Sequence, residues 1–494
     1  MQIICKKDNR GGKPLNKLNG ILPERVFYYF EEVCNIPHGS GNTEKIAEYC
    51  VDFAKKHGLK YVKDDANNVI IYKDGSEGHE NSAPLILQGH IDMVCQKTPE
   101  SNIKFETDGL DIFIDGDFVK AKGTTLGADN GIAVAMVLAI LESDEIAHPP
   151  IEAVFTSDEE IGMLGALKLD ASLLSGNRMI NLDVGCNKEA IVSCAGGSDV
   201  LIKIPLERKI ACGKKITVTL KGLKGGHSGG AINCGRVNAN ILAGRFLSYA
   251  KKMSDFDVLE INGGDKGNVI PSLCEISLVA SESEKFVSGI ENYYEIVKSE
   301  IADREENFEM LVQVDGEDNY CVLKDDAKDK LIYLLNSVPN GVMEMSTQID
   351  NLVQTSLNLG VLKTNDKEIV MLHTLRSSKQ TALDYLEGRI CQIASYNECT
   401  FETSGHYPPW EYKENSEIRE KYLECYQKMF SDKPGIYAVH AGLECGVFAS
   451  KIKDFDCISI GPDMQDIHTV DEKLSISGTK AFFEFLLSFI KELK

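Results

Sequence analysis

Three short apolar runs constrain this chain more than anything else in it: APLILQGHI (83–91), IEAVFTS (151–157) and RMINLDV (178–184). Each is too short for a buried helix. Longer segments with helical periodicity lie between and before them, TEKIAEYCVDFAKKH (43–57) and IAVAMVLAILES (132–143). Strands that alternate with helices run parallel, with the helices covering the sheet. The same texture returns at the end of the chain, with a helix at SEIREKYLECYQKMF (416–430), a strand at FDCISIG (455–461) and an amphipathic helix at TKAFFEFLLSFIKEL (479–493). The expected fold is therefore α/β, with a mainly parallel central sheet built from residues 1–195 and 402–494.

Between these parts, residues 196–401 change character. Alternating strands such as KKITVTLKG (214–222) and EIVMLHTLR (368–376) are interleaved with polar amphipathic helices near 236–250, 285–304, 325–337 and 380–397. The order reads as two successive β-α-β-type units, an inserted α+β domain. Gly196-Gly197-Ser198 is the expected hinge into it.

A chain of 494 residues is too long for one ordinary core, in keeping with this division. Its net charge of −22 excludes nucleic acid and anionic membranes as partners, since both reward a basic surface. No apolar run approaches the roughly 20 residues that span a bilayer. The opening MQIICKKDNRGGKPLNKLNG has no apolar signal-peptide core, and its role is not legible. The 15 cysteines are scattered singly and form no C-x-x-C pair. They read as reduced core residues of a cytoplasmic protein.

In open parallel sheets, ligands sit beyond the carboxyl ends of the strands. LILQGHID leads to His90 and Asp92, EAVFTSDEE to Glu159 and Glu160, RMINLDVG to Asp183, and CISIGPDMQDIHT to His468. Asp129 stands in LGADNG, directly before a helix. Each has an ordinary alternative. Asp129 suits a helix N-cap, the adjacent glutamates suit a solvated pair, and His468 suits a satisfied loop. Gathered in one crevice, however, the carboxylates repel one another and require a cation. Two histidines with several carboxylates favour zinc, or manganese or cobalt, over the all-oxygen shells of calcium and magnesium. They also suffice for two ions sharing one bridging ligand, an arrangement that hydrolyses carbonyl compounds.

With these residues in view, the chain from about residue 24 resembles the M20 metallopeptidases, and among them the bacterial aminoacyl-histidine dipeptidase (peptidase D) subgroup. Further segments carry the likeness: IPHGSGNTE (36–44), GGHSGG (225–230), GGDKGNVIP (263–271), TSLNLG (355–360), YPPW (407–410) and HAGLECG (440–446). The resemblance implies a zinc-peptidase-like catalytic domain with an inserted lid and dimerisation domain. It implies that His90 and Asp183 bind one metal, Glu160 and His468 the other, and that Asp129 bridges them ahead of a cis peptide to Asn130. Asp92 would orient His90, and Glu159 would be the general base acting on the bridging water.

The resemblance also implies that His227 stabilises the oxyanion, with Asn268 near it, and that Arg376 grips the peptide's terminal carboxylate. His440 and Glu444 would line the substrate pocket. The substrate would be a dipeptide, of Xaa-His type or of broad specificity, and the protein a homodimer that closes about its hinge. Small-insert relatives borrow this histidine from the partner subunit, but the second unit of this longer insert could take the partner's place, so that His227 serves either its own chain or the partner's. An N-acyl amino acid deacylase or a carboxypeptidase of the same fold is the alternative, and a silent metal-binding protein the alternative of another class.

Overall fold

Residues 17–493 are described in a computed structural model of the chain, so most of the opening segment lies outside the described residues. Strands Ile151–Thr156, Leu85–His90, Arg178–Asn181 and Asp456–Ser459 run side by side and parallel. Every residue in them is buried, as strands covered on both faces must be. Further strands complete the sheet at its rims. Val69–Lys73 and then Lys60–Lys63 extend one side, and Glu189–Cys194 and then Gly435–Val439 extend the other. Helix Ala128–Glu142 is apolar on all sides and is buried on all sides. It packs against helix Glu24–Asn35 so closely that a Cβ on Gly131 would lie 3.1 Å from Val33.

The described chain divides into two compact units. The first runs to Ser193 and adds Tyr412–Tyr437 and the residues from Leu443 onward; the second is Cys194–Glu411 with Ala438–Gly442. The second unit therefore extends past residue 401, where the insert was expected to end. Strand Thr400–Tyr407 accounts for this, because it hydrogen-bonds along Gly196–Pro205.

The second unit is built on a nine-stranded sheet in which every recorded pairing is antiparallel. Alternate residues such as Val200, Ile202 and Ile204 share one apolar core with Phe246, Phe286, Leu331 and Ile390. Four helices, Ala239–Ala250, Ser283–Ile301, Asp325–Ser337 and Gln380–Tyr396, thus cover one face.

Gly196 and Gly197, where the hinge was expected, open strand Gly196–Pro205 just after the division at Ser193–Cys194. Gly197 is paired on both sides and Gly196 with Ser377, and their missing side chains admit neighbours. A Cβ on Gly197 would fall 2.5 Å from the Tyr407 hydroxyl, and one on Gly196 2.5 Å from the Pro409 nitrogen.

The described cysteines are all free, but not all are core residues: Cys212, Cys234 and Cys321 are exposed. Among the described residues, no helix is long and apolar enough to cross a membrane.

Candidate active site

In the first unit, His90 ends strand Leu85–His90, and Asp183 follows Arg178–Asn181 by two residues. Parallel register pairs Gln88 with Asn181 and His90 with Thr156, so these strands end at one level. His90 Nε2 lies 3.1 Å from Asp129 Oδ1 and 3.6 Å from Asp183 Oδ1. His468 Nε2 lies 3.2 Å from the other oxygen of Asp129 and 2.8 Å from Glu160 Oε1. Asp129 is thus shared by two groups, His90–Asp129–Asp183 and Asp129–Glu160–His468, each close enough to hold a metal ion.

The surrounding chain holds these groups in place. The buried Asn130 side chain accepts the His90 backbone N–H at 3.2 Å and donates to the Leu182 carbonyl at 2.7 Å and to Asp183 Oδ1 at 2.9 Å. The peptide before it, Asp129–Asn130, is cis. Gly89 leaves the room this requires, since a side chain there would collide with Asn130. On the far side of the His90 ring, Nδ1 faces Asp92 twice, its carbonyl at 3.0 Å and its carboxylate at 3.5 Å. That carboxylate also accepts the backbone N–H groups of Glu159 and Glu160 and the Ser40 hydroxyl, so it fixes both glutamates as well as the imidazole.

Five carboxylates surround two imidazoles here, and burial makes the imbalance costly. Burial, reinforced by Asp129, pushes Asp183 up to about 6. Burial likewise pushes Glu159 well above the ordinary carboxylate range, helped by Asp183, Glu444 and Glu160. Bonds to Asp129 and Glu160 raise His468 to about 10. Burial opposes the charged form of His90, yet Asp129, Asp183 and Asp92 outweigh it and hold the ring well above its usual value. An acceptor set of this composition and excess negative charge fits divalent cations.

Beneath the ligands runs a layer that sequence reasoning missed. Asn181 donates to Gln88, Gln88 and Thr156 both donate to Glu444, and Ser459 donates to Asn181. This layer includes Glu444. Its side chain is wholly buried, one oxygen accepting from Gln88 and Thr156 and the other without a partner among the described residues. Burial pushes its carboxyl up to about 7. The available signal was a polar amide inside each of two apolar runs, Gln88 and Asn181, because such groups demand buried partners.

The remaining expected residues form a cluster in the second unit. Ser356, Arg376 and Gly197 sit opposite one another on adjacent strands, and Tyr407 is paired with Gly197. Because Gly197 has no side chain, the Tyr407 hydroxyl crosses it and meets Arg376 Nη1 at 3.0 Å. Arg376 is only 7% exposed, its Nε has no partner, and no carboxylate among the described residues pairs with it. His440 Nε2 lies 2.7 Å from the Ser356 hydroxyl, and burial beside Arg376 and His227 lowers its pKa to about 3.

His227 pairs with Val269 across a two-residue ladder. Its Nδ1 accepts the backbone N–H groups of Gly229 and Gly230, both at 3.2 Å, which leaves the proton of the neutral ring on Nε2. Burial and the nearby Arg376 lower its pKa. Asn268 is exposed, and its carbonyl accepts the Ser228 N–H at 2.9 Å. Asn358, which no expectation singled out, holds this segment by donating to the carbonyls of Gly267 and Val269.

Residues 86–492 match the model of peptidase family M20/M25/M40, and the chain belongs to that family of peptide hydrolases. It is 36% identical over 483 residues to the cytosol non-specific dipeptidase of Escherichia coli (strain K12), covering 97% of this chain and 99% of that protein. The crystal structure of aminoacylhistidine dipeptidase from Vibrio alginolyticus matches with a TM-score of 0.90 at 36% identity, over 97% of this chain and 98% of that one. Aminopeptidase PepT from Bacillus cereus shares the fold at 14% identity, with a TM-score of 0.55 over 96% and 99% of the two chains.

Proposed function

We propose that this protein is a cytoplasmic dipeptidase with two divalent metal ions, zinc in the first place and manganese or cobalt as alternatives. The carrying observation is Asp129, whose two oxygens face separate imidazoles, each with a further carboxylate beside it. His90 and Asp183 would hold one ion, Glu160 and His468 the other, and Asp129 both. Ions held in this way polarise a peptide carbonyl and acidify water.

The protein's own groups perform the proton transfers. Asp92 keeps the His90 ring oriented with Nε2 toward the ligands. Glu159 has its backbone anchored on Asp92, and its carboxyl has no hydrogen-bond partner among the described residues. Held well above the usual carboxylate range, it is suited to take a proton from the attacking water and deliver it to the leaving amine. His227, neutral with its proton on Nε2, is the donor for the developing oxyanion, and the exposed Asn268 side chain stands near it in sequence register.

Arg376 grips the terminal carboxylate of a short peptide. A buried guanidinium without a carboxylate partner is a ready anion receptor, and His440 and Tyr407 complete its surroundings. The second unit then acts as the substrate-gripping lid. It also carries the dimer contact, since edge strand Glu309–Leu323 exposes Leu311 and Val314. Free cysteines throughout the described chain support a reducing compartment.

The deciding experiment is a panel of dipeptides, including Xaa-His, together with N-acyl amino acids and longer peptides, assayed before and after chelation. Metal-dependent release from dipeptides is expected. Preferential cleavage of N-acyl amino acids would overturn the reading.

A further inference from the structure

Glu472 follows His468 by four residues, on the loop of the hairpin Met464–Gln465/Lys473–Ser475, and it is only 3% exposed. Its carboxylate accepts four consecutive backbone N–H groups. Oε2 takes those of Leu126 at 2.8 Å and Gly127 at 3.1 Å, and Oε1 takes those of Ala128 at 2.9 Å and Asp129 at 3.3 Å. These groups open helix Ala128–Glu142 and have no partner within it.

An ordinary cap cannot satisfy them. The N-cap position is Gly127, in the left-handed region at φ 66°, and a Cβ there would fall 2.7 Å from Met93 Sδ and 3.2 Å from His38 Nε2. With no side chain allowed at that position, the cap comes from another segment, and that segment is the hairpin loop that presents His468.

We propose that Glu472 is a positioning residue that sets the separation of Asp129 and His468 by clamping the Asp129 turn to the His468 loop. The inference rests on the reading above that these two residues hold a cation. The His468 backbone lies in the left-handed region at φ 65°, a conformation that a non-glycine residue keeps only when its surroundings enforce it. Lys473, next to Glu472, pairs with Lys120 of strand Phe118–Ala121, so the hairpin rests on a sheet on its other side.

The test uses the full-length, metal-stripped protein titrated with cobalt(II), followed by calorimetry and by the visible absorption that reports coordination geometry. Glu472→Gln keeps the shape but replaces one acceptor oxygen with a donor facing N–H groups. Glu152→Gln is the control for loss of a buried backbone clamp. Glu152 accepts N–H groups from Ser175 and Gly176 at the opposite end of its strand from the ligands.

Glu472→Gln is expected to bind cobalt roughly 10- to 100-fold more weakly, the usual cost of losing a group that orients ligands, with an altered spectrum. Its reloaded form should show a lower kcat at little-changed KM. Glu152→Gln should lose stability yet keep the wild-type affinity and spectrum. If Glu472→Gln does not fold, Glu472→Asp, which keeps the charge on a shorter arm, should show an intermediate affinity. Wild-type cobalt affinity and spectrum in the folded Glu472 variant would overturn this inference alone. A wild-type protein that takes up no cobalt would overturn the metal reading and this inference with it.

Discussion

The two units handle buried charge in opposite ways. The first collects acceptors, with five carboxylates around His90 and His468, while the second collects donors, with Arg376, His227 and His440 and no carboxylate paired to the guanidinium. Burial works against charge in both: it pushes Asp183 up to about 6 and His440 down to about 3. An excess of buried acceptors suits a cation, and a buried guanidinium without a paired carboxylate among the described residues suits an anion.

The strongest way to break this contrast is to disable one cluster and watch for effects proper to the other. Glu159→Gln should reduce kcat by about 10²- to 10⁴-fold, the span of general acid–base catalysis, with metal content intact. Peptide release and metal analysis on the same sample measure both, and near-wild-type turnover would remove Glu159 from its role. Arg376→Ala should lower kcat/KM by roughly 10- to 100-fold, mostly through KM, as expected for a lost charge-assisted hydrogen bond. Its metal content should not change. A parallel loss of metal would show that the two clusters are not chemically separate.

Acid and base should separate the units next. His440 at about 3 and His373 at about 4 stay neutral in the folded second unit, whereas the unfolded chain protonates both below about pH 6.5. Stability of that unit is complete above this pH and is lost as pH falls, by about 1.4 kcal/mol per histidine per pH unit at most. In the metal-free first unit, Asp183 at about 6 and His468 at about 10 make the folded state the more protonated one. Its stability should fall as pH rises. Urea midpoints of the metal-free protein between pH 5 and 8 should therefore move in opposite directions for the two units, and a common direction would refute the contrast.

The smallest effect sharpens the donor side alone. Tyr407→Phe removes the hydroxyl that meets Arg376, and Gly197→Ala pushes the ring aside from it. Each should raise KM by about 2- to 10-fold, the scale of one neutral hydrogen bond, with kcat nearly unchanged. Unaltered KM in both variants would show that Tyr407 does not set the guanidinium.

Much of the fold was legible because the patterns are local. The apolar runs at 83–91, 151–157 and 178–184 contain strands, and the helices expected near 236–250, 285–304, 325–337 and 380–397 are found within a few residues of those bounds, since period and length suffice to tell the two apart. The acceptor cluster was legible for a related reason. Parallel strands place whatever follows them at one edge, so His90, Glu159, Glu160 and Asp183 could be grouped without knowing a single distance. That Gly197 admits a tyrosine ring was not legible, because a glycine pair in sequence does not reveal which neighbours approach it.

The sequence by itself thus determined the α/β frame, the presence of an α+β insert and the chemical class of the acceptor cluster, all of which follow from periodicity and from residues adjacent to their own strands. Only the tertiary structure decided that Glu444 turns inward to Gln88 and Thr156, that Tyr407 reaches Arg376 across Gly197, and that Glu472 caps the Asp129 turn from 343 or more residues away. Those pairings join groups far apart in the chain. Each depends on which backbone amides and side chains are left without a partner once the strands have docked, and that is settled by packing in three dimensions.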